Sequence, residues 1–470
     1  MAYASGSSTI LKLGDSETLT LSNFKTPNFM ETRRDFLKKT TLAGLGVTFS
    51  ASSYARILGS NDRVRVGVIG FSDRFRQSLA PAFANHNKEL NFTFVGVSDL
   101  WERRRNEAET FLTSKGLTDG SFFKARNNDE LLDRKDVDAV MISTADFQHA
   151  LHCVAAVQSG RDVYVEKPFA ESLDDARKAL KAVESSSKIV QVGSQRRSAP
   201  NYHSANEFIR SGKFGEISMV EMTWNVNQPG RWRRPKLVAE IKKEDIDWKR
   251  FLMNRPMVDW DPRKYLEYRL FYPYSSGIPG QWMSHQIDTV HWFSGYDHPR
   301  SVVANGGVYV WKDGRVNPDT FTAVFDYGPD NDKTKGFQVL YSSRMHNEAG
   351  GTKEYYFSNG GMINLDTNKI SSEGGLTQRA AGEMNMQANM LSEQTLSNAA
   401  KMETGANTGG DPMTSMHVRN WMDCVRSRKE PNAPARVGFN HSVANIMANT
   451  AQQTGKRVTW DSAKNDMVIA

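Results

Sequence analysis

The stretch "RVRVGVIGFSDRF", Arg63 to Phe75, decides how the rest of the chain is read. Its valines and isoleucine, spaced by smaller or polar residues, predict a short buried strand that ends at Gly70. The residues after it form a glycine loop in outline only. Where a dinucleotide-binding G-x-G-x-x-G places three glycines, this chain has Gly70, Ser72 and Phe75. A pyrophosphate needs a tight turn, close approach of the main chain and a helix N-terminus aimed at the anion. Gly70 can make the turn, Ser72 is small and carries a hydroxyl, and Arg74 or Arg76 supplies charge. Phe75 departs from the pattern, because the third glycine is the one that lets helix and strand come close. Read alone, the loop fits an ordinary strand-to-helix turn as well as it fits a nucleotide site.

Working outward, "FTFVGVSDL" is the second strand, and it ends at Asp99, 29 residues after Gly70. A carboxylate there is placed to accept hydrogen bonds from an adenosine ribose, which favours NAD, since a 2′-phosphate beside it is repelled. Arg103 to Arg105, one turn on, keep NADP open, and Asp99 also reads as a helix cap. "VDAVMIST" and "DVYVEKP" are further strands, with "LWERRRNEAETFLTSKGL" and "HALHCVAAVQSG" as helices between. "SLDDARKALKAVESSS" is an amphipathic helix capped by Ser172, and "KIVQVGSQRR" closes the domain near residue 195. This alternation defines an α/β protein with a doubly wound parallel Rossmann sheet over residues 63–195. In residues 196–470, longer alternating runs such as "EISMVEMTWNV", "TFTAVFDYG" and "GFQVLYSSR" predict an α+β substrate domain with a large, mostly antiparallel open sheet. The polar stretch from "EGGLTQRAAG" to "TGGD" reads as an excursion or mobile lid, and the last helix, "NHSVANIMANTAQQTG", as packing back on the body.

Composition narrows the class. At 39% hydrophobic and 24% charged, the chain is that of a folded globular protein rather than a disordered one. Its net charge of +7 is spread along the chain, which argues against a nucleic-acid surface. Two distant cysteines, Cys153 and Cys424, form neither a metal knuckle nor a redox pair, and read as buried thiols ahead of a disulfide. The N-terminal "TRRDFLKKTTLAGLGVTFSASSYA" has paired arginines, a short apolar run and a small-residue end. Residues 30–55 therefore read as a twin-arginine signal headed by Arg33-Arg34 and cleaved after Ala55, ahead of the alternative of a surface amphipathic helix. Met30 starts that signal, so residues 1–29 read as an overcalled start or an extension without a role in the fold. The expected location is the periplasm or another exported compartment, with the twin-arginine translocase as a partner during export. No run of about 20 apolar residues predicts a stable membrane span.

Three separated segments carry a family resemblance: "DVDAVMISTADFQHALHCVAAVQSGRDVYVEKPFAESLDDAR", "VQVGSQRRSAPNYHSANEFIRSGKFGEI" and "GIPGQWMSHQIDTVHWF". The first resembles the T-P-x-x-x-H turn and the E-K-P tripeptide of the glucose-fructose oxidoreductase, inositol dehydrogenase and MocA (Gfo/Idh/MocA) family, the second continues the match, and the third resembles that family's H-x-x-D-x-x-x-W helix, over roughly residues 63–300. The resemblance implies an NAD(P)-dependent oxidoreductase acting on a sugar, sugar derivative or glycoside, and a homo-oligomer. It also implies that Lys167 lies beside the nicotinamide and orients a substrate hydroxyl, that Glu166 positions Lys167 or the cofactor, and that Thr144 and His149 line the cofactor turn.

His285 is the candidate acid/base, since imidazole titrates near neutrality. Much of the family carries an aspartate four residues before this histidine, and here that position is Gln281. An amide can hold a sugar hydroxyl but cannot relay a proton. Either His285 works with Lys167 alone, or Asp288 substitutes, or the usual chemistry is lost. Arg196, Gln281 and His441 are candidate substrate contacts, and Arg197, Tyr202, "RWRRP" and "YRLFYPYSS" candidate walls of a polar cleft with aromatic sides. No metal is expected from His285, Asp288 and His291. Export implies a cofactor that stays bound and is returned to its starting state each turnover. That suits an oxidoreductase passing hydride between two carbohydrates. It also suits an NAD-dependent glycosidase or lyase working through transient C3 oxidation and elimination, similar to glycoside hydrolase family 109. A non-catalytic carbohydrate-binding relative is a further alternative.

Overall fold

The structure is a computed structural model that describes residues 62–397 and 411–470; the expected signal at 30–55 and the extension at 1–29 lie outside the described residues. Six strands make the first sheet: β1 (Val64–Ile69), β2 (Phe92–Ser98), β3 (Thr118–Ala125), β4 (Ala139–Ile142), β5 (Asp162–Val165) and β6 (Val190–Val192). Their order is β3-β2-β1-β4-β5-β6, and every neighbouring pair is parallel. β4 and β5 are buried along their whole length, as expected of strands covered by helices on both faces. The order reverses between β1 and β4, so the carboxyl ends of these two strands open the crevice where doubly wound sheets take their ligands. The sequence reading missed β3, whose "TDGSFFKA" mixes turn residues with exposed polar ones. An edge strand tolerates that composition, because only one side of its ladder is paired. Helix Leu173–Glu184 begins as expected, with the Ser172 side chain accepting a hydrogen bond from the Asp175 amide.

Phe75 shows how the chain does without the third glycine. Its ring is fully buried against Phe71 and Phe94, with centroids 5.8 and 5.4 Å away. The helix opens to make room: residues Phe75–Leu79 form a π-helical turn in which the Ala80 amide bonds the Phe75 carbonyl. Close packing that glycine allows is replaced by a wider turn filled with an aromatic ring, a burial worth about 2–3 kcal/mol.

The second sheet has ten strands in the order β14-β13-β12-β11-β7-β10-β9-β8-β15-β16, where β7 is Met219–Asn225, β8 Ser301–Gly307, β9 Thr320–Tyr327, β10 Phe337–Arg344, β11 Thr352–Ser358, β12 Gly361–Asn364, β13 Lys369–Ser371, β14 Gln394–Thr395, β15 Val458–Asp461 and β16 Asp466–Ile469. Only the central β7–β10 pair is parallel. β9 buries every second residue, matching the period-two reading. Helix Ala435–Thr454 is buried nearly all round and packs between β8 and helix Leu173–Glu184, joining the two sheets in one core. Helix Pro412–Ser427, assigned from sequence to the second domain, instead covers the first sheet with Val418, Trp421 and Met422. The described part of the expected lid holds a short helix, Gln378–Glu383, and edge strand β14, and of its residues Asp411, at its far end, lines the cavity at the carboxyl ends of β1 and β4. Cys153 and Cys424 are both free and buried. Among the described residues, no helix is long and apolar enough to cross a membrane.

Candidate active site

A cavity of about 580 Å³ opens at the carboxyl ends of β1 and β4 and runs toward the helix Ser284–Ser294 of the second domain. At one end lie Gly70, Ser72, Arg74, Asp99 and Thr144. Gly70 has φ +86°, and a Cβ there would stand 2.8 Å from Thr144 Cγ2 and 3.1 Å from the Ser143 carbonyl, so only glycine fits. Ser72 holds the loop to the helix it starts, its Oγ accepting from the Phe75 amide at 3.2 Å. Amides in that first turn lack intrahelical acceptors, which is the donor set a pyrophosphate requires. Asp99 accepts from the amides of Phe71 and Trp101, both at 3.0 Å, so it braces the glycine loop against the end of β2 while lining the cavity. This is the helix-start role read as an alternative, and the Tyr265 side chain is a third hydrogen-bond partner of the carboxylate, which leaves one of its four lone pairs for a ribose. Of the three arginines that left NADP open, Arg103 pairs outward with Glu107 and Glu240, Arg105 bonds the Asp99 carbonyl at 2.7 Å, and only Arg104 lines the cavity.

Arg74 does not reach into open space. Its Nε lies 2.9 Å from Glu166 Oε1, which ties the glycine loop to the end of β5 and sets Glu166 next to Lys167. His149 makes a second tie, its Nδ1 2.8 Å from the Pro168 carbonyl and its Nε2 3.2 Å from that of Thr144. The sequence reading put both residues at the cofactor; the structure shows them also holding two turns together.

Lys167 lines the cavity, is 9% exposed and donates from Nζ to the Gln281 carbonyl. Burial pulls its ammonium down to about 7, against the opposing pull of the Glu166 and Asp146 carboxylates. His285 lines the same cavity, stacked on Trp224 at 5.7 Å and 25°. Burial, with Lys167 and Arg196 nearby, holds its imidazole well below the usual histidine range. Burial thus acts on both groups in the same direction, toward the uncharged form. Trp224, Trp232 and Trp282 form the adjoining wall.

Four sequence-level assignments change. Asp288 faces away from the cavity, in a two-pronged ion pair with Arg197 at 2.9–3.1 Å, so it is a packing anchor rather than a catalytic acid. Arg196 is buried against Glu354 and Tyr202, its charge met by that carboxylate, and it does not line the cavity. His441 is wholly buried on helix Ala435–Thr454 and does not line the cavity, because that helix serves as core. Gln281 does line it, but its Nε2 is committed to Asp146 Oδ2 at 2.7 Å.

Asp146 was not singled out from sequence. It is wholly buried in the turn "TADFQH", accepts from Ser275 Oγ at 2.6 Å as well as from Gln281, and lies 3.5 Å from Arg269 Nε. A carboxylate missing at position 281 is thus present one hydrogen bond away. The signal was an acid two residues after Thr144, inside a turn read only for its ends. Glu171, beside Asp146, is pushed upward by burial and by that neighbouring charge. Among the described residues no group of three or more His, Cys, Asp or Glu side chains is arranged to hold a metal ion.

Sheet order and glycine loop together define a doubly wound, nucleotide-binding type of fold. Residues 64–194 match the oxidoreductase family with an NAD-binding Rossmann fold, GFO_IDH_MocA, which supports the family resemblance over the residues that form the nucleotide fold. The inositol 2-dehydrogenase of Rubrobacter xylanophilus is 31% identical over 207 residues, 42% of this chain and 54% of that protein. That of Salmonella typhimurium is 30% identical over 127 residues, 27% of this chain and 38% of that protein. This chain therefore aligns with only about a third to a half of these relatives' length. Among solved structures, a levoglucosan dehydrogenase in complex with NADH and levoglucosan superposes with a TM-score of 0.60 at 14% identity, covering 87% of this chain and 99% of that one. That likeness extends the shared fold through the second domain.

Proposed function

We propose that the protein is an NAD-dependent oxidoreductase that transfers hydride at a carbinol carbon of a sugar or sugar derivative. The observation that carries this reading is Lys167, a buried amine held at about 7 in a cavity continuous with the Gly70 loop. NAD, when bound, supplies the hydride acceptor or donor. In oxidation the neutral Lys167 amine accepts the proton of the hydroxyl as hydride departs, and in reduction the ammonium returns it. The Gln281 carbonyl fixes Nζ, and Asp146 fixes Gln281 through its amide. Neutral His285 orients the hydroxyl without adding positive charge next to a protonated lysine. Trp224 and Trp282, parallel to within 3°, offer a flat apolar wall to a sugar ring and exclude water. Gly70, Ser72, Asp99 and the Arg74–Glu166 pair would hold the cofactor.

With this reading we propose export by the twin-arginine route, on the sequence of residues 30–55, and with it a retained cofactor and a homo-oligomeric assembly. The test uses purified full-length protein. Bound nucleotide is released and identified, and sugars and glycosides are then added to untreated protein while reduced nicotinamide is followed by absorbance. Bound NAD that a sugar reduces, and a keto-sugar reoxidises, is the expected result. Release of an aglycone instead would move the reading to the redox-assisted glycosidase. Failure to bind NAD even when supplied would overturn it.

A further inference from the structure

We infer that the substrate end of the cavity is built for a sugar bearing a carboxylate, with the Arg231 guanidinium as the group that receives it. The inference rests on the sugar site proposed above and adds the charge of its substrate.

A count of charges around the wall leads there. Arg74, Arg104, Arg234, Arg250 and Arg269 line the cavity, and each lies 2.7 to 3.5 Å from a carboxylate, of Glu166, Glu107, Asp73, Asp129 and Asp146 respectively. Arg231 also lines it, yet among the described residues it has no carboxylate partner. Its Nη1 donates to the neutral Gln228 side chain, and its Nε is buried without any hydrogen bond. The guanidinium stands 5.2 Å from the centre of the Trp282 ring. Burial and the nearby Arg269 and Arg234 pull it down to about 10, which still leaves it charged at neutral pH. A half-buried cation pressed by two others is a cost that an anion removes.

The local backbone supports a binding role. Trp232, the next residue, holds φ +65°, a left-handed conformation that a bulky side chain adopts at a cost of about 1–3 kcal/mol. Its ring packs 5.5 Å from Trp282. The strained turn thus keeps residues 231 and 232 on the tryptophan wall. Trp282 follows Gln281, which holds Lys167, and stacks on Trp224, which stacks on His285. Arg231 therefore belongs to the wall that carries the reacting groups.

One unpaired guanidinium matches one planar, singly charged carboxylate, which it grips with two parallel hydrogen bonds. The other cation on the wall without a carboxylate ion pair, Lys167, is held by the Gln281 carbonyl and serves the reacting hydroxyl, so a phosphate ester with nearly two charges finds no second free cation. The class is thus a uronate or aldonate type of sugar acid.

The experiment titrates D-glucuronate, D-gluconate, D-glucose and D-glucose 6-phosphate into the NADH-loaded protein by calorimetry, for wild type and Arg231→Gln, and titrates NADH into each variant. At least one of the two acids should bind tenfold or more tighter than glucose, Arg231→Gln should cut that preference to twofold or less, and NADH affinity should stay within twofold. Equal binding of acids and glucose, no binding of either acid, a preference that survives Arg231→Gln, glucose 6-phosphate binding as tightly as the acids, or NADH binding lost in Arg231→Gln would each overturn the inference. If wild type binds no NADH, the proposed function fails separately, and the same titrations on nucleotide-free protein decide the question of charge.

Discussion

Replacing Lys167 by methionine should stabilise the protein at neutral pH while abolishing turnover. The lysine's ordinary value is 10.5 and burial brings it to about 7. That gap, 10.5 − 7, spans about 3.5 pH units, which at ~1.36 kcal/mol each amounts to about 5 kcal/mol. The direction follows from proton counting. Between pH 7 and 10.5 the unfolded chain holds a proton on Lys167 that the folded protein does not, so wild-type stability rises with pH across that window. Above it both forms are neutral, and below it the full penalty is present and constant. Methionine has nearly the same length and no charge, so Lys167→Met removes the penalty but leaves the Gln281 carbonyl without its donor, a loss of about 1–2 kcal/mol that does not depend on pH. The variant should thus be less stable than wild type by about 1–2 kcal/mol at pH 10.5 and more stable by about 3–4 kcal/mol at pH 6, with equality roughly one pH unit below 10.5. Urea denaturation of both proteins at matched pH values measures this, because titrating groups that do not interact with Lys167 cancel in the difference. A difference that is flat from pH 6 to 10.5, or a variant less stable at pH 6, would refute the burial argument.

The geometry sets four more outcomes. Gly70→Ala places a Cβ 2.8 Å from Thr144 at φ +86°, and should cost roughly 1–3 kcal/mol of stability and most of the NADH affinity; fluorescence titration with both properties unchanged would contradict the steric account. Asp146→Asn removes a charge that holds Lys167 up, so the acid limb of the pH–rate profile should move to lower pH by roughly one unit, and a limb that stays or rises would show that Asp146 does not act on Lys167. His285→Ala should lower kcat by roughly 10²–10⁴-fold at little cost in stability. Asp288→Asn should do the reverse, losing about 3–5 kcal/mol through the unpaired Arg197 while kcat of the folded protein stays within a few-fold.

Much of the nucleotide half was legible because its signals are local. β1, β2, β4 and β5 announce themselves as short apolar runs, and the Ser172 cap lies three residues from the amide it accepts. β3 was missed because an edge strand with a wet side carries no such run. At the site, Lys167, His285 and Gln281 were found from motif positions, and all three line one cavity. Asp288 was misjudged for an equally local reason: its spacing from His285 along a helix says nothing about which groups stand opposite. Arg196 and His441 fail in the same way, since what buries them comes from β11 and from packing between the two sheets.

By itself the sequence determined the parallel sheet, a tight turn at Gly70 and the presence of a lysine and a histidine at the ends of two recognisable elements. Such features depend on hydrophobic period and on backbone conformation, which neighbouring residues set. Tertiary structure alone decided which charges are spent. Arg74 meets Glu166 across 92 positions of sequence, Arg197 meets Asp288 across 91 and Arg196 meets Glu354 across 158. It also decided that burial draws both Lys167 and His285 toward their uncharged forms, because desolvation is a property of everything packed around a group and appears in no stretch of sequence taken alone.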